Sequence, residues 1–226
     1  MRLALFDLDH TLIPFDSGLA WTRFLAARGT LPADAEDRYL AYCHQYVAGT
    51  LDIHAMHRAG LGPLAPYPQT LLQAWAREFE ATMVPRIPAD MHTLVQRHRR
   101  SGDLCAMVTA TTRLVAEPFA RLFGIEHLVA TEGVLRRGHY TGEIAGEPCF
   151  RAHKLTRVEQ WLAQAAPGGE GLAAFSTSWF YSDSISDLPL LQAVSHPVAV
   201  RPDTRLRAHA EQQGWPVLEA EASTAP

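Results

Sequence analysis

The sequence predicts an α/β fold, a doubly wound parallel sheet interrupted after its first strand by an all-helical insertion. Three observations lead there. From residue 89 onward, short apolar runs that end on an acid or a hydroxyl alternate with helix-like segments, the rhythm of parallel strands joined by crossover helices. One further apolar run, Leu3-Ala4-Leu5-Phe6, stands alone at the start of the chain. Between the two, from Ile13 to about Pro88, apolar residues recur only at helical spacing. The expected organisation is a core of residues 1–14 and 86–226, with a small helical cap of residues 15–85.

The elements follow in order. The first run reads as a buried strand whose carboxyl end carries Asp7, then Asp9 and Thr11. Ser17 opens a helix that ends near Gly29. Asp34 to Ala48 is a second, with Tyr39, Leu40, Cys43, Tyr46 and Val47 on one face. Leu51 to Ala59 and Pro68 to Val84 complete the cap, punctuated by Pro and Gly at 60–68. Ala89 to Ser101 is a helix closed by Gly102, and Leu104 to Val108 a short strand ending at Thr109. Leu114 to Phe123 is a helix stopped by Gly124, and His127 to Ala130 a third strand. Val134 to Ile144, with Arg137-Gly138-His139 at its middle, reads as a hairpin. A helix over Arg151 to Ala165 leads into a Pro167-Gly168-Gly169 surface loop. Ser178 to Ser182 is a strand ending at Asp183, Pro197 to Val200 a fifth, and Arg205 to Gly214 the closing helix. The tail from Glu219 to Pro226 is expected to fray.

Composition narrows the function classes. A chain of 226 residues with 47% apolar residues can bury a substantial core. A net charge of −4 carries no basic footprint for nucleic acid. No apolar run approaches the length of a membrane span, and no signal peptide is recognisable at the first residues. Cys43, Cys105 and Cys149 are scattered and odd in number, which suits a reducing compartment. A cytoplasmic protein is expected. The eleven histidines are dispersed and do not suggest a metal site. The basic residues are nineteen arginines and a single lysine, Lys154. A position written once as Lys is a candidate for needing a compact ammonium rather than a planar guanidinium.

Ligands in open α/β sheets bind beyond the carboxyl ends of the strands. Asp7 and Asp9 fall there together, a costly placement unless positive charge arrives, for which a divalent cation is the natural candidate. Three other segments end predicted elements in the same way: Thr109, Lys154, and Asp183-Ser184-Ile185-Ser186-Asp187. Each has an ordinary reading taken alone. Thr109 could cap a turn, Asp183 and Asp187 could start a helix, and Lys154 could be a surface lysine.

Taken in order, these four motifs resemble those of the haloacid dehalogenase superfamily, and in particular its phosphoserine-phosphatase-like branch. The tract Tyr140-Thr141-Gly142-Glu143 leading to Lys154 shares that likeness, which covers nearly the whole chain. It implies a Rossmann-like core, a helical cap, and hydrolysis of a small phosphorylated metabolite with Mg²⁺. Asp7 would be the nucleophile that forms an aspartyl-phosphate. Asp9 would be the general acid and base. Mg²⁺ would be held by the Asp7 carboxylate, the Asp9 carbonyl and the Asp183 carboxylate, with Asp187 behind it. Thr109, Lys154 and the backbone N–H groups of Leu8 and Ala110 would hold the phosphoryl group.

For the substrate, Asp16 matches the position of a cap glutamate that recognises an amino group in phosphoserine phosphatases. Arg58 resembles the cap arginine that grips the substrate carboxylate. One departure matters: Ala110-Thr111 stands where that branch has a glycine pair. Ser182 likewise replaces the common glycine before Asp183. Phosphoserine and another aminated monoester such as histidinol phosphate therefore remain equal expectations. A phosphomutase sharing the site, or a non-catalytic metabolite-binding module, are the alternatives. A dehalogenase has no use for Asp9, and a phosphonatase would want a cap lysine, which residues 13–88 lack.

Overall fold

The computed structural model describes residues 1–166 and 169–219. Pro167 and Gly168 of the expected surface loop, and residues 220–226 of the expected tail, lie outside the described residues.

Six strands form one parallel sheet: β1 (Arg2–Phe6), β2 (Leu104–Thr112), β3 (His127–Thr131), β6 (Thr177–Ser182), β7 (His196–Val200) and β8 (Val217–Leu218). Their spatial order is β3-β2-β1-β6-β7-β8. A separate antiparallel pair, β4 (Gly133–Arg136) and β5 (His139–Ile144), is the expected hairpin. The chain thus builds outward from β1 on one side, returns, and builds outward on the other. β1 is the topological switch point, with β2 and β6 on its flanks.

Both faces of β1 are covered, as a parallel sheet requires. Ala4 and Phe6 point into one apolar cluster and Leu3 and Leu5 into the other, all fully buried. The first cluster contains residues of α5 (Ala89–Arg100) and α6 (Arg113–Phe123). The second contains residues of α7 (Ala152–Ala165), α8 (Leu188–Ala193) and α9 (Thr204–Gln213). Gly124 ends α6 with φ 70°, the left-handed turn that favours glycine.

Four helices fill the segment between β1 and α5: α1 (Ser17–Ala27), α2 (Ala35–Ala48), α3 (Ile53–Leu61) and α4 (Gln69–Met83). α1 and α4 share the first apolar cluster with the core. Phe79 of α4 meets Trp21 of α1 edge-on at 5.2 Å and Phe119 of α6 at 5.8 Å. The hairpin leans on this helical segment, because Gln69 donates to the Gly138 carbonyl at 2.7 Å and Leu61 packs beside Gly133.

Three expectations need correcting. β2 continues to Thr112 instead of stopping at Val108. Its pairing with β1 ends at Met107, and a register irregularity after Val108 lets it go on beside β3 alone. The apolar face expected of α2 has no buried residue, and Val47 is 86% exposed. Tyr39 and Tyr46 of that face turn toward polar partners near the sheet's carboxyl edge instead of a core. α8 and β8 went unpredicted, since six and two residues are too short for a periodicity to declare itself.

His57 on α3 is 6% exposed, and its Nε2 has no hydrogen-bond partner. Burial, then the neighbouring His54, pushes its pKa down to about 4. An unfolded histidine titrates near ~6.5, so acid protonates the unfolded chain first and stability falls as pH drops from there toward the folded value. The expected loss between pH 7 and pH 5 is about 2 kcal/mol from this group. Urea unfolding at the two pH values should show it, and His57→Phe should remove it.

Candidate active site

Asp7 follows directly on β1, and its N–H donates to the Tyr181 carbonyl of β6 at 2.9 Å, which extends the pairing by one residue. The carboxylate emerges at the switch point and is 6% exposed. Lys154, in the first turn of α7, is 3% exposed and reaches it: Nζ donates to Asp7 Oδ1 at 2.7 Å and to Asp187 Oδ2 at 2.6 Å. Ser182, the last residue of β6, donates to the same Asp187 oxygen at 2.7 Å. Thr11 Oγ1 lies 3.2 Å from both Asp7 Oδ2 and Asp183 Oδ1.

Asp7, Lys154, Asp183 and Asp187 therefore converge, although they are spread over the chain. The loop carrying the last two is held from two sides. The N–H of Asp203 donates to the Asp183 carbonyl at 2.7 Å, while its side chain accepts from Ile185 and caps α9. Tyr46 of α2 bonds Ser184 Oγ at 2.6 Å and Ser186 Oγ at 3.1 Å. The turn after Asp9 is pinned by Arg201, whose guanidinium donates to the His10 and Thr11 carbonyls.

The electrostatics follow from a charge imbalance. Two carboxylates, Asp7 and Asp187, contact one ammonium, and a third, Asp183, joins them through Thr11. Burial raises the pKa of Asp7, with Asp187 adding to it, against the lowering pull of Lys154. Burial, then Asp7 and Asp187, pushes Asp183 well above the usual carboxylate range. Burial alone would lower Lys154, yet Asp187 and Asp7 outweigh it and hold the ammonium well above its ordinary value.

Asp9 sits at the edge of this group, where Ser17 N–H donates to Oδ1 at 2.5 Å and Thr111 Oγ1 to Oδ2 at 2.7 Å. Burial, then the charge of Asp16, raises its pKa to about 7. Thr109 is 1% exposed, and its hydroxyl accepts from the Thr111 N–H at 3.1 Å. It lies in the stretch of β2 that has outrun β1, and the N–H of the buried Leu8 stabilises the Asp7 carboxylate. Ala110 follows it in β2, and its carbonyl accepts from Thr131 Oγ1 at 2.8 Å.

The two expected substrate contacts fare differently. Asp16 is the N-cap of α1, accepting from Leu19 N–H and from the Tyr39 hydroxyl, both at 2.7 Å. Its charge is felt at Asp9. A Cβ at Gly18 would collide with the Tyr39 ring, so that contact requires glycine. Arg58 is not brought to the group: its side chain is 48% exposed and faces Glu143 at 3.9 Å.

Sequence reasoning missed Ser17, Thr111, Tyr46, Ser182 and Arg201 as parts of this site. Only Thr111 and Ser182 carried a signal, as departures from the pattern of the branch the chain resembles.

A parallel core with a carboxylate at its switch point, a buried lysine and two further acids beside it defines a hydrolase of the haloacid dehalogenase type. The model of the haloacid dehalogenase-like hydrolase family matches residues 4–192, and the chain belongs to that family. A histidinol-phosphatase of Neisseria meningitidis is 41% identical over 220 residues, 96% of this chain and 98% of that protein. A probable phosphatase of Mycobacterium tuberculosis is 31% identical, covering 95% and 74%. Among solved structures, a Bordetella pertussis protein of unknown function superposes with a TM-score of 0.87 at 44% identity, over 96% and 97% of the two chains. A substrate-bound phosphoserine phosphatase shares the fold, with a TM-score of 0.63 at 16% identity over 96% and 91%. Among the described residues no helix is long and apolar enough to cross a membrane.

Proposed function

We propose that the chain is a Mg²⁺-dependent phosphomonoesterase that works through an aspartyl-phosphate on Asp7. The observation that carries this reading is the cluster at the carboxyl end of β1 in which Lys154 pairs with Asp7 and Asp187 while Thr11 joins Asp7 to Asp183. The donor set fits a divalent ion. Thr11 has one hydroxyl proton for two carboxylate oxygens at 3.2 Å, so when Asp7 and Asp183 are both ionised one contact is left unmet. Hard oxygen donors and an excess of carboxylates over the one ammonium suit Mg²⁺. Asp7, Asp183 and the Asp9 carbonyl would hold it, and it would supply positive charge against the phosphoryl oxygens.

The chain's own residues account for the rest of the chemistry. Asp7 Oδ attacks phosphorus as the bond to the leaving alcohol breaks. Lys154, fixed by Asp187, offsets the repulsion between carboxylate and phosphate. Thr109 and the N–H groups of Leu8 and Ala110 hold the transferring oxygens. Asp9 gives its proton to the leaving alkoxide. It then takes one from the water that attacks phosphorus and releases phosphate. With a pKa near 7, Asp9 is suited to both directions.

A cavity of about 330 Å³ is lined by Thr111, whose hydroxyl reaches Asp9, while Asp7, Asp9, Lys154 and Asp183 themselves are not among its lining residues. Trp21, Leu25, Tyr42 and Met56 make its walls largely apolar and aromatic. Its one arginine, Arg38, is already paired with Asp34 at 2.6 Å, and Arg58 is not among its lining residues. The Asp16 carboxylate stands nearby through Tyr39. A ring-bearing, aminated monoester without a carboxylate suits this arrangement better than phosphoserine does. The name of the Neisseria relative points the same way.

The test is hydrolysis of a panel of phosphate monoesters with Mg²⁺, with EDTA, and with Mg²⁺ restored. Histidinol phosphate is expected to exceed phosphoserine in kcat/KM by at least ~10-fold, the discrimination a fitted apolar pocket gives. Preference for phosphoserine would overturn the substrate assignment. Absence of any Mg²⁺-dependent hydrolysis would overturn the activity itself.

A further inference from the structure

We infer that Thr111 is a positioning residue for leaving-group protonation. This rests on the proposed role of Asp9 and assigns a residue to it. Thr111 Oγ1 lies 2.7 Å from Asp9 Oδ2 and 3.3 Å from Ser17 Oγ, joining β2, the turn after β1 and the start of α1 at one point. Its own N–H is anchored on Thr109 Oγ1 at 3.1 Å, so the residue that would hold the phosphoryl group also fixes the backbone that carries this hydroxyl.

The two contacts on Asp9 are chemically unequal. The Ser17 N–H can only donate, so Oδ1 serves as an acceptor in every state. The proton that Asp9 passes to the substrate is therefore carried on Oδ2, the oxygen facing Thr111. A hydroxyl there can donate to the carboxylate and accept from the acid, turning about its C–O bond without moving a heavy atom. It keeps the side chain in one orientation through both halves of the reaction. The proton leaves Oδ2 for the alkoxide as the P–O bond breaks and returns from the attacking water, so it is conserved over the cycle. Thr111 also lines the cavity proposed for the substrate, so one residue touches both that cavity and Asp9 Oδ2.

Position matters most where the leaving group most needs a proton. An alkyl phosphate expels a strongly basic alkoxide, whereas 4-nitrophenyl phosphate expels a weakly basic phenolate that needs little help. The experiment compares kcat/KM for both substrates in wild type, Thr111→Val and Thr111→Ser, since this ratio reports the first phosphoryl transfer. General acid catalysis is worth ~10²–10⁴-fold. Thr111→Val should lower kcat/KM for the alkyl ester at least ~10-fold more than for the aryl ester. Thr111→Ser should restore the alkyl activity to within about threefold. An equal fall on both substrates, no fall on either, or failure of Ser to restore the alkyl activity would overturn the inference. If wild type hydrolyses neither ester, the proposed function has failed instead. Thermal unfolding of the variants separates lost fold from lost position, and Thr111→Ala replaces the valine variant in the same comparison if the valine variant does not fold.

Discussion

Asp7→Asn is expected to abolish turnover, by on the order of 10⁴-fold or more, while leaving the fold intact or firmer. The two halves have one cause. Asn keeps the shape and the hydrogen-bonding positions of Asp7 but is no nucleophile. The ionised Asp7 is a burden on the folded state, because burial and Asp187 hold its pKa above the ordinary value despite Lys154. A group with a raised folded pKa contributes stability at low pH that is lost as pH rises through that pKa. Removing its charge removes that loss, so metal-free Asp7→Asn should melt no lower than wild type at neutral pH. Steady-state kinetics and a thermal melt on one preparation check both. A variant that keeps turnover would remove Asp7 from the mechanism.

Lys154→Met should have the second largest effect, and of the opposite kind for stability. The side chain is nearly isosteric, but it leaves Asp7, Asp183 and Asp187 without their single ammonium. Breaking a buried ion pair from one side costs about 3–5 kcal/mol. The metal-free variant is expected to lose about 3 kcal/mol at neutral pH. It should lose less in mild acid, where Asp7 and Asp183, whose pKa values burial raises, can take up protons. Activity should be lost with it. Lys154→Arg should fail to rescue. The two carboxylate oxygens sit 2.6–2.7 Å from one nitrogen in a dry site, a geometry for a compact ammonium and not for a planar fork. Denaturant unfolding at two pH values, with wild type alongside, reads the result.

The fold was legible because each strand of the core except β8 is a bounded apolar run with a helix before or after it. β1 announced itself most clearly, since Leu3 to Phe6 are buried on both faces and so are continuously apolar. The residues that gather at Asp7 were legible for a related reason. Each stands in or just after a core element: Asp7 after β1, Asp183 after β6, and Lys154 in the first turn of α7. Lys154 carried the extra mark of being the chain's one lysine.

What stayed hidden depends on contacts across long stretches of chain. Thr111 meets Asp9 from 102 residues away, and Tyr46 meets Ser184 across 138. Neither leaves a local pattern. The α2 face misled for the same reason. Tyr39 and Tyr46 have the periodicity of a core face, but aromatic rings ending in hydroxyls also serve a polar cleft. Arg58 had only the general likeness of a cap arginine, and its pairing with Glu143 of β5 could not be read before the hairpin was seen against α3.

In the proposed reaction phosphate passes through Asp7. The most direct measurement is a rapid acid quench of the protein mixed with Mg²⁺ and a monoester labelled in its phosphoryl group, followed by peptide mapping. Label is expected on the protein within the first turnover, released by hydroxylamine as an acyl phosphate should be, mapped to the peptide carrying Asp7 and missing from Asp7→Asn. Turnover with no protein-bound label at any time, or label on another residue, would contradict it.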